Sequence, residues 1–165
     1  MKAKIALFAI VLAALFIAVP VKARMTEPLL PFKARVLAIA GPPPSGPPPW
    51  YMDVYGSGVA SHMGKVSVYQ HHLVAPTADP NVLVFYDGVW VWTAANGDVL
   101  QGTYSGQLVF NPAGGYFEIH GYFYVAGGTG RFQHATGEGP ASGTQSLDGT
   151  AELLLDGTIQ YFHNP

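Results

Sequence analysis

The sequence predicts an all-β fold closed into a barrel, and three observations lead to that prediction. Turn signals rich in Gly, Pro, Asn and Asp recur every few residues after residue 50, where no segment has a helical period. Residues 116–125 alternate strictly between an apolar and a more polar face. Charged residues make up only 11% of the chain, so a sheet with free edges would aggregate, and closure removes the edges. A sandwich of two sheets is the alternative architecture.

The composition excludes several classes of function. Eight Lys and Arg against ten Asp and Glu give a net charge of −2, which excludes a generally basic nucleic-acid binder. The absence of cysteine excludes disulfides, thiolate zinc sites, cysteine nucleophiles and iron–sulfur clusters. Apolar residues make up 49% of the 165 residues, which is ample for one core and excludes a disordered chain.

The first 23 residues have the features of a signal peptide. Lys2 and Lys4 precede a run of 15 apolar residues, and Ala23 supplies the small residue before a cleavage point. The run is shorter than the roughly 20 residues of a membrane span, and an uncleaved anchor is the alternative. Cleavage leaves residues 24–165 as a single β-barrel domain, in which 5 basic residues face 10 acidic ones. We expect a secreted or periplasmic protein that binds neither nucleic acid nor, after cleavage, a membrane.

Turn signals divide the mature chain into strands. Residues 41–49, GPPPSGPPP, predict a stiff loop, because so many prolines exclude a helix or a central strand; a ligand for an aromatic groove is the alternative. Type I′ hairpin turns are predicted at Asp87-Gly88, Asn96-Gly97, Asp148-Gly149 and Asp156-Gly157. Some candidate strands should merge, leaving eight or nine. The candidates are 32–40, 51–60, 64–73, 82–86, 89–95, 98–105, 107–111, 115–126, 140–147, 150–155 and 158–163.

The candidate strand 115–126 has the clearest alternation. Phe117, Ile119, Phe123 and Val125 share one face, and Gly121 interrupts it at a point where a glycine marks a bend. The other face carries Tyr116, Glu118, His120, Tyr122 and Tyr124. The apolar face should therefore point into the barrel.

The segment that follows, residues 127–137 with the sequence GGTGRFQHATG, is the most informative motif. A phosphate-binding loop is the weaker interpretation, because neither the Lys-Ser/Thr pair nor an adequate following helix is present. We predict a tight turn with positive φ at its glycines, Phe132 folded back as an apolar plug and Arg131 free to pair with a carboxylate. The residues assigned to structural turns are Asn96, Gly97, Asp98, Gly127, Gly128, Thr129, Gly130 and Phe132.

The string GGTGRF-x-x-A-x-G after an aromatic, alternating strand resembles the signature of the dirigent proteins and of the allene oxide cyclase barrel family. Residues 95–98 (ANGD) followed by 102–106 (GTYSG) resemble the exported bacterial branch, as do residues 56–58 (GSG) leading into 61–64 (SHMG). The resemblance covers roughly residues 31–160.

This resemblance implies an eight-stranded antiparallel barrel that holds an apolar small molecule and uses no cofactor. In the plant members the barrel is often a homotrimer, which implies a homo-oligomer here. The cavity carboxylates of the family align with no defined position in this sequence, so that the fold carries over and the activity does not.

Four polar residues are candidates for lining a ligand cavity: Tyr104, Glu118, His120 and Arg131. A pocket that guides a substrate needs a few convergent polar groups and a titratable residue with a perturbed pKa. No catalytic residue is assigned.

Metal binding is the weaker interpretation of the histidines. His71 and His72 are neighbours on one strand and point to opposite faces, so they cannot share an ion. A site built from His72, His120 and a carboxylate is the remaining arrangement, and we expect no metal.

Two further pairs of residues have both a structural and a functional interpretation. Asp98 and Glu118 form a carboxylate pair only if the fold joins them, and we expect both to be solvated. Trp90 and Trp92 share a strand face and should pack the core or a subunit interface; a cavity wall or a sugar platform is the alternative.

Three functions are compatible with the sequence. The first is a non-catalytic barrel that binds a small molecule or is structural. The second is a cofactor-free cyclase, isomerase or dirigent-like guide acting on an apolar small molecule. The third is a surface protein for adhesion or assembly.

Overall fold

Eight antiparallel strands form one closed barrel, in which each strand pairs with the next and the last pairs with the first. The computed structural model describes residues 27–42 and 44–162. The predicted signal peptide and His163 lie outside the described residues. The elements are β1 (Leu30–Ala40), β2 (Trp50–Ala60), β3 (Gly64–Pro76), β4 (Val82–Ala94), β5 (Val99–Asn111), β6 (Tyr116–Gly128), a 3-10 turn (Gly130–Phe132), β7 (Thr136–Ser146) and β8 (Thr150–Gln160).

The predicted barrel is confirmed, and three pairs of candidate strands merge into β4, β5 and β8. Asn96-Gly97 and Asp148-Gly149 lie in turns between strands, as predicted. The hairpins predicted at Asp87-Gly88 and Asp156-Gly157 are wrong, because both dipeptides lie inside strands. Asp87 has a φ of +51° and forms a bulge. Gly157 permits close packing, since a Cβ there would lie 2.3 Å from the Glu138 carbonyl oxygen.

One end of the barrel is filled with apolar side chains. The turns β2–β3, β4–β5 and β6–β7 meet at this closed end. Phe132 has 0% of its surface exposed, and its ring centroid lies 5.0 Å from that of Tyr161. Arg131 Nε lies 3.3 Å from Asp98 Oδ2, so the turn is pinned to the β4–β5 connection. This is the arrangement that the GGTGRF motif predicts.

The glycines of this turn serve two different purposes. Gly127 and Gly130 have φ of +109° and +56°, as the sequence predicts. Gly128 instead has the extended backbone of β6, and a Cβ there would lie 1.9 Å from the Val99 carbonyl oxygen. The predicted positive φ at Gly128 is therefore wrong, since it is the close approach of β5 that requires a glycine there.

The opposite end of the barrel is a mouth formed by the other four connections, including the Pro-rich loop. Trp50 stands at its rim, and its indole Nε1 donates to the Gly46 carbonyl at 2.9 Å. A second apolar cluster lies below the rim and includes Met52, Phe85 and Leu108. Within the residues that the structure describes, no helix has the length and hydropathy of a membrane span.

Truncating the plug should destabilise the fold strongly. Phe132→Ala removes a fully buried ring, and we expect the free energy of unfolding to fall by about 3–5 kcal/mol. Phe162→Ala is the matched control, because Phe162 is 46% exposed, and it should cost less than about 1 kcal/mol. Chemical denaturation of the three proteins measures both values. Equal, small losses in the two variants would contradict the assignment of Phe132 as a plug.

Candidate functional site

A cavity of about 70 Å³ lies inside the barrel, between the closed end and the mouth. Its walls are mainly aromatic and aliphatic, with Val54, Phe85, Trp90, Ile119 and Leu155 among them. Four polar residues on inward strand faces interrupt this lining, namely Gln70, His72, Tyr104 and Gln145, and Tyr122 of the exposed face of β6 also borders it. Among the described residues, no Asp, Glu, Lys or Arg lines the cavity.

A larger space of about 490 Å³ occupies the mouth. Leu108 and Gln145 line both spaces, so the two adjoin. The larger space is bordered by apolar side chains that include Trp50 and Phe117. Asp148 is the one charged residue of the described chain along its lining.

The central polar feature is a hydrogen bond between His72 Nδ1 and the Tyr104 hydroxyl, 2.5 Å long. His72 is on β3 and Tyr104 is on β5, so β4 lies between them. Gly88 of β4 pairs in register with Tyr104, and a Cβ at Gly88 would lie 2.6 Å from the tyrosine ring. The Asp87-Gly88 bulge therefore leaves room for the two side chains to meet across β4.

Burial keeps this pair uncharged. Loss of hydration, together with a smaller contribution from the neighbouring His71, lowers the pKa of His72 from 6.5 to about 4. Burial also raises the pKa of Tyr104 well above its usual range. Whichever group donates, a neutral imidazole and a phenol share two hydrogens, and their mutual bond uses one. One N–H or O–H thus remains for another partner.

Gln70 is a buried polar residue on the cavity wall. Only 8% of its surface is exposed, its side chain makes no hydrogen bond to a described residue, and its amide atoms stay accessible from the cavity. The indole Nε1 of Trp92, in contrast, is fully buried and has no partner in the described chain. By contrast, the indole Nε1 of Trp90 donates to the Thr103 carbonyl at 3.2 Å. The Gln70 amide therefore offers both a donor and an acceptor to whatever enters the cavity.

The structure brings one of the four predicted cavity residues, Tyr104, to this site. Glu118 and His120 lie on the outer wall, where the His120 Nε2 atom is 3.5 Å from Glu118 Oε2. Both belong to the polar face of β6, which alternation turns away from the interior. Arg131 lies at the closed end, paired with Asp98.

The fold also separates the candidate metal ligands and the candidate carboxylate pair, and it buries the two tryptophans in the core. His72 points into the barrel and His120 out of it, so they cannot share an ion, and no group of three potential ligands occurs in the described residues. Asp98 lies at the closed end and Glu118 near the mouth, too far apart for a carboxylate pair. Trp90 is buried in the core and lines the cavity, as does Trp92.

Sequence reasoning missed Gln70 and considered His72 only as a possible metal ligand. The signal was available, because Val66, Val68, Gln70 and His72 alternate along β3 and therefore share its inward face. A polar residue on an otherwise apolar inward face is the pattern that identifies a buried polar site.

Comparison with known proteins supports the fold. No protein-family model matches the chain, and no curated protein is similar to it in sequence. Two solved structures are similar in shape, the pterocarpan synthase dirigent proteins GePTS1 and PsPTS1. The first has a TM-score of 0.55 and 14% identity, covering 86% of this chain and 89% of that one. The second has a TM-score of 0.55 and 13% identity, covering 84% and 99%.

The chain has the fold of the dirigent proteins. The predicted resemblance to that barrel is confirmed, whereas the exported bacterial branch stays a prediction. At this identity the likeness extends to the dirigent-like architecture alone.

The buried imidazole of this dirigent-like barrel should make stability sensitive to acid. The pKa of His72 is about 4 in the folded state and 6.5 ordinarily, so its contribution is complete above pH 6.5 and is lost as the pH falls toward 4. Between these values the unfolded chain binds a proton that the folded chain excludes. As the pH falls from 6.5 to 4, the free energy of unfolding of the wild type should therefore drop by up to about 3 kcal/mol more than that of His72→Gln.

Denaturation at steps from pH 7 to pH 4 measures this difference. His120→Gln is the control, because its ring lies on the outer wall, and it should follow the wild type. Identical pH dependence of the wild type and His72→Gln would contradict a buried neutral imidazole.

Proposed function

We propose that this chain is an exported dirigent-like barrel that binds one small, mainly apolar molecule in its interior without a cofactor. The observation that carries the proposal is the unpartnered Gln70 amide in an apolar cavity. A hydroxyl or carbonyl group of a ligand would give this amide a hydrogen-bond partner between apolar walls. The signal-peptide features of residues 1–23 support export.

The dimensions of the interior support the same proposal. Pockets for small organic molecules measure about 300–1,000 Å³ and combine apolar walls with a few polar groups. The mouth measures about 490 Å³ and adjoins the polar cavity. The similar structures are described as synthases of the dirigent type, which is compatible with a barrel that holds a small organic compound.

A cofactor-free guide or isomerase is the second candidate, favoured by the His72–Tyr104 pair. A neutral imidazole hydrogen-bonded to a phenol can give and accept a proton beside a bound molecule. This role differs from simple binding in one respect: the bound compound is released in a chemically changed form. Mass analysis of the compound released in the binding test below separates the two roles.

Filling the cavity should weaken binding. Ala151 is buried and lines the cavity, so Ala151→Leu places three extra carbons in the space. We expect the affinity for the neutral fluorescent probe N-phenyl-1-naphthylamine to fall about tenfold or more. Ala126→Leu adds the same carbons on the outer wall and should leave it unchanged.

Fluorescence titration measures the affinities, and melting curves establish that both variants fold. Equal binding by the wild type, Ala151→Leu and Ala126→Leu would contradict an interior site.

We also propose that the barrel forms homo-oligomers through an apolar patch on its outer wall. The patch spans β8, β1 and β2, and its most exposed member is Leu37, at 60%. The other members are Ile39, Tyr55, Val59 and Leu154. Arg35 and Glu152, 2.6 Å apart, place both signs of charge within it, so that the patch complements a second copy of itself.

A polar substitution in the patch should weaken the assembly. We expect Leu37→Gln to shift the oligomer toward monomer by about tenfold or more in dissociation constant. Leu147→Gln is the control, because Leu147 is 70% exposed in the β7–β8 turn. Size-exclusion chromatography with light scattering measures the masses. A wild type that stays monomeric at about 100 μM would contradict the proposal.

A further inference from the structure

We infer that the interior site selects an uncharged amphiphile, which enters with its hydroxyl group first and leaves its apolar tail in the mouth. The inference rests on the proposed function and names the class of ligand for that site. Three features carry it: the charge of the lining, the hydrogen-bonding capacity of the inner cavity, and the shape of the two adjoining spaces.

The inner cavity offers no counter-charge to an ion. Its inward-facing polar groups are two amides, from Gln70 and Gln145, and the neutral His72–Tyr104 pair. No charged side chain of the described residues lines it. An ionised carboxylate or ammonium group would lose its hydration there without gaining a partner of opposite charge. A neutral group loses far less on entry.

The hydrogen-bonding capacity matches a hydroxyl group. Gln70 and His72 are two residues apart on the inward face of β3, so their backbones are only about 7 Å apart. The His72–Tyr104 pair has one hydrogen to give, and the Gln70 amide has both a carbonyl oxygen and an N–H. A hydroxyl group accepts from the first and donates to the second. A carboxylate only accepts, and would leave the Gln70 oxygen unpaired.

The mouth fits an apolar tail rather than a second charged end. Trp50, Met52, Leu83 and Phe117 are among its lining residues. The charged residue beside it, Asp148, is acidic and repels an anion. A carboxylate is therefore unfavourable at either end of the site, whereas an alkyl or aryl tail is favourable along the whole mouth.

A matched pair of ligands tests the inference. Octan-1-ol and octanoate have the same chain length and differ in the charge of the polar end. At pH 7.5 we expect octan-1-ol to displace N-phenyl-1-naphthylamine at a concentration about tenfold or more below that of octanoate. Gln70→Leu should weaken octan-1-ol about fivefold or more and leave the affinity for the probe within about twofold.

The control variant is Gln101→Leu, which removes an amide from the outer wall of β5 and should bind octan-1-ol like the wild type. Failure of the wild type to bind the probe or either ligand would overturn the proposed function itself. If the wild type binds the probe, three results would overturn this inference alone. Octanoate could displace the probe as well as octan-1-ol does, neither compound could displace it, or Gln70→Leu could leave the affinity for octan-1-ol unchanged.

Discussion

The width of a closed eight-stranded barrel is the constraint on which the rest of this structure depends. Such a barrel is just wide enough for its own side chains to fill it or for one small ligand to replace some of them. At the closed end, large side chains such as Phe32 and Phe132, both fully buried, pack the interior. In the middle, Ala38, Gly121 and Ala151 face inward, and a cavity remains. The cavity is thus a direct result of small side chains at fixed inward positions.

The same geometry explains why the polar groups lie where they do. In a packed barrel core, a glutamine, a histidine and a tyrosine facing inward would each cost stability without a partner. The bulge at Asp87 and the missing side chain of Gly88 allow His72 and Tyr104 to satisfy each other. Gln70 has no such arrangement within the described chain. A sequence that keeps an inward-facing amide without a protein partner in an otherwise apolar interior departs from the rules of stability, and such departures are typical of functional positions.

Local sequence patterns predicted the strands and failed at contacts between them. Alternation located β6, and turn residues located two hairpins, because both signals act over a few residues. Asp87-Gly88 has the dipeptide sequence typical of a hairpin turn, but pairing of β4 with β3 and β5 makes it a bulge instead. Arg131 was predicted to line the cavity, but it lies at the closed end beside Asp98. Local sequence patterns do not show which side chains meet across the barrel. The inward-facing polar residues of β3 could have been identified from the two-residue alternation of the strand alone, but they were overlooked.

Binding of a small uncharged molecule inside the barrel, rather than on its outer wall, is tested by proton–nitrogen correlation spectra of the side chains recorded while octan-1-ol is added. The Gln70 amide and the Trp90 indole N–H signals should move to saturation together, while the Gln101 amide stays in place. A Gln70 signal that does not move while outer-wall signals saturate would contradict binding in the interior.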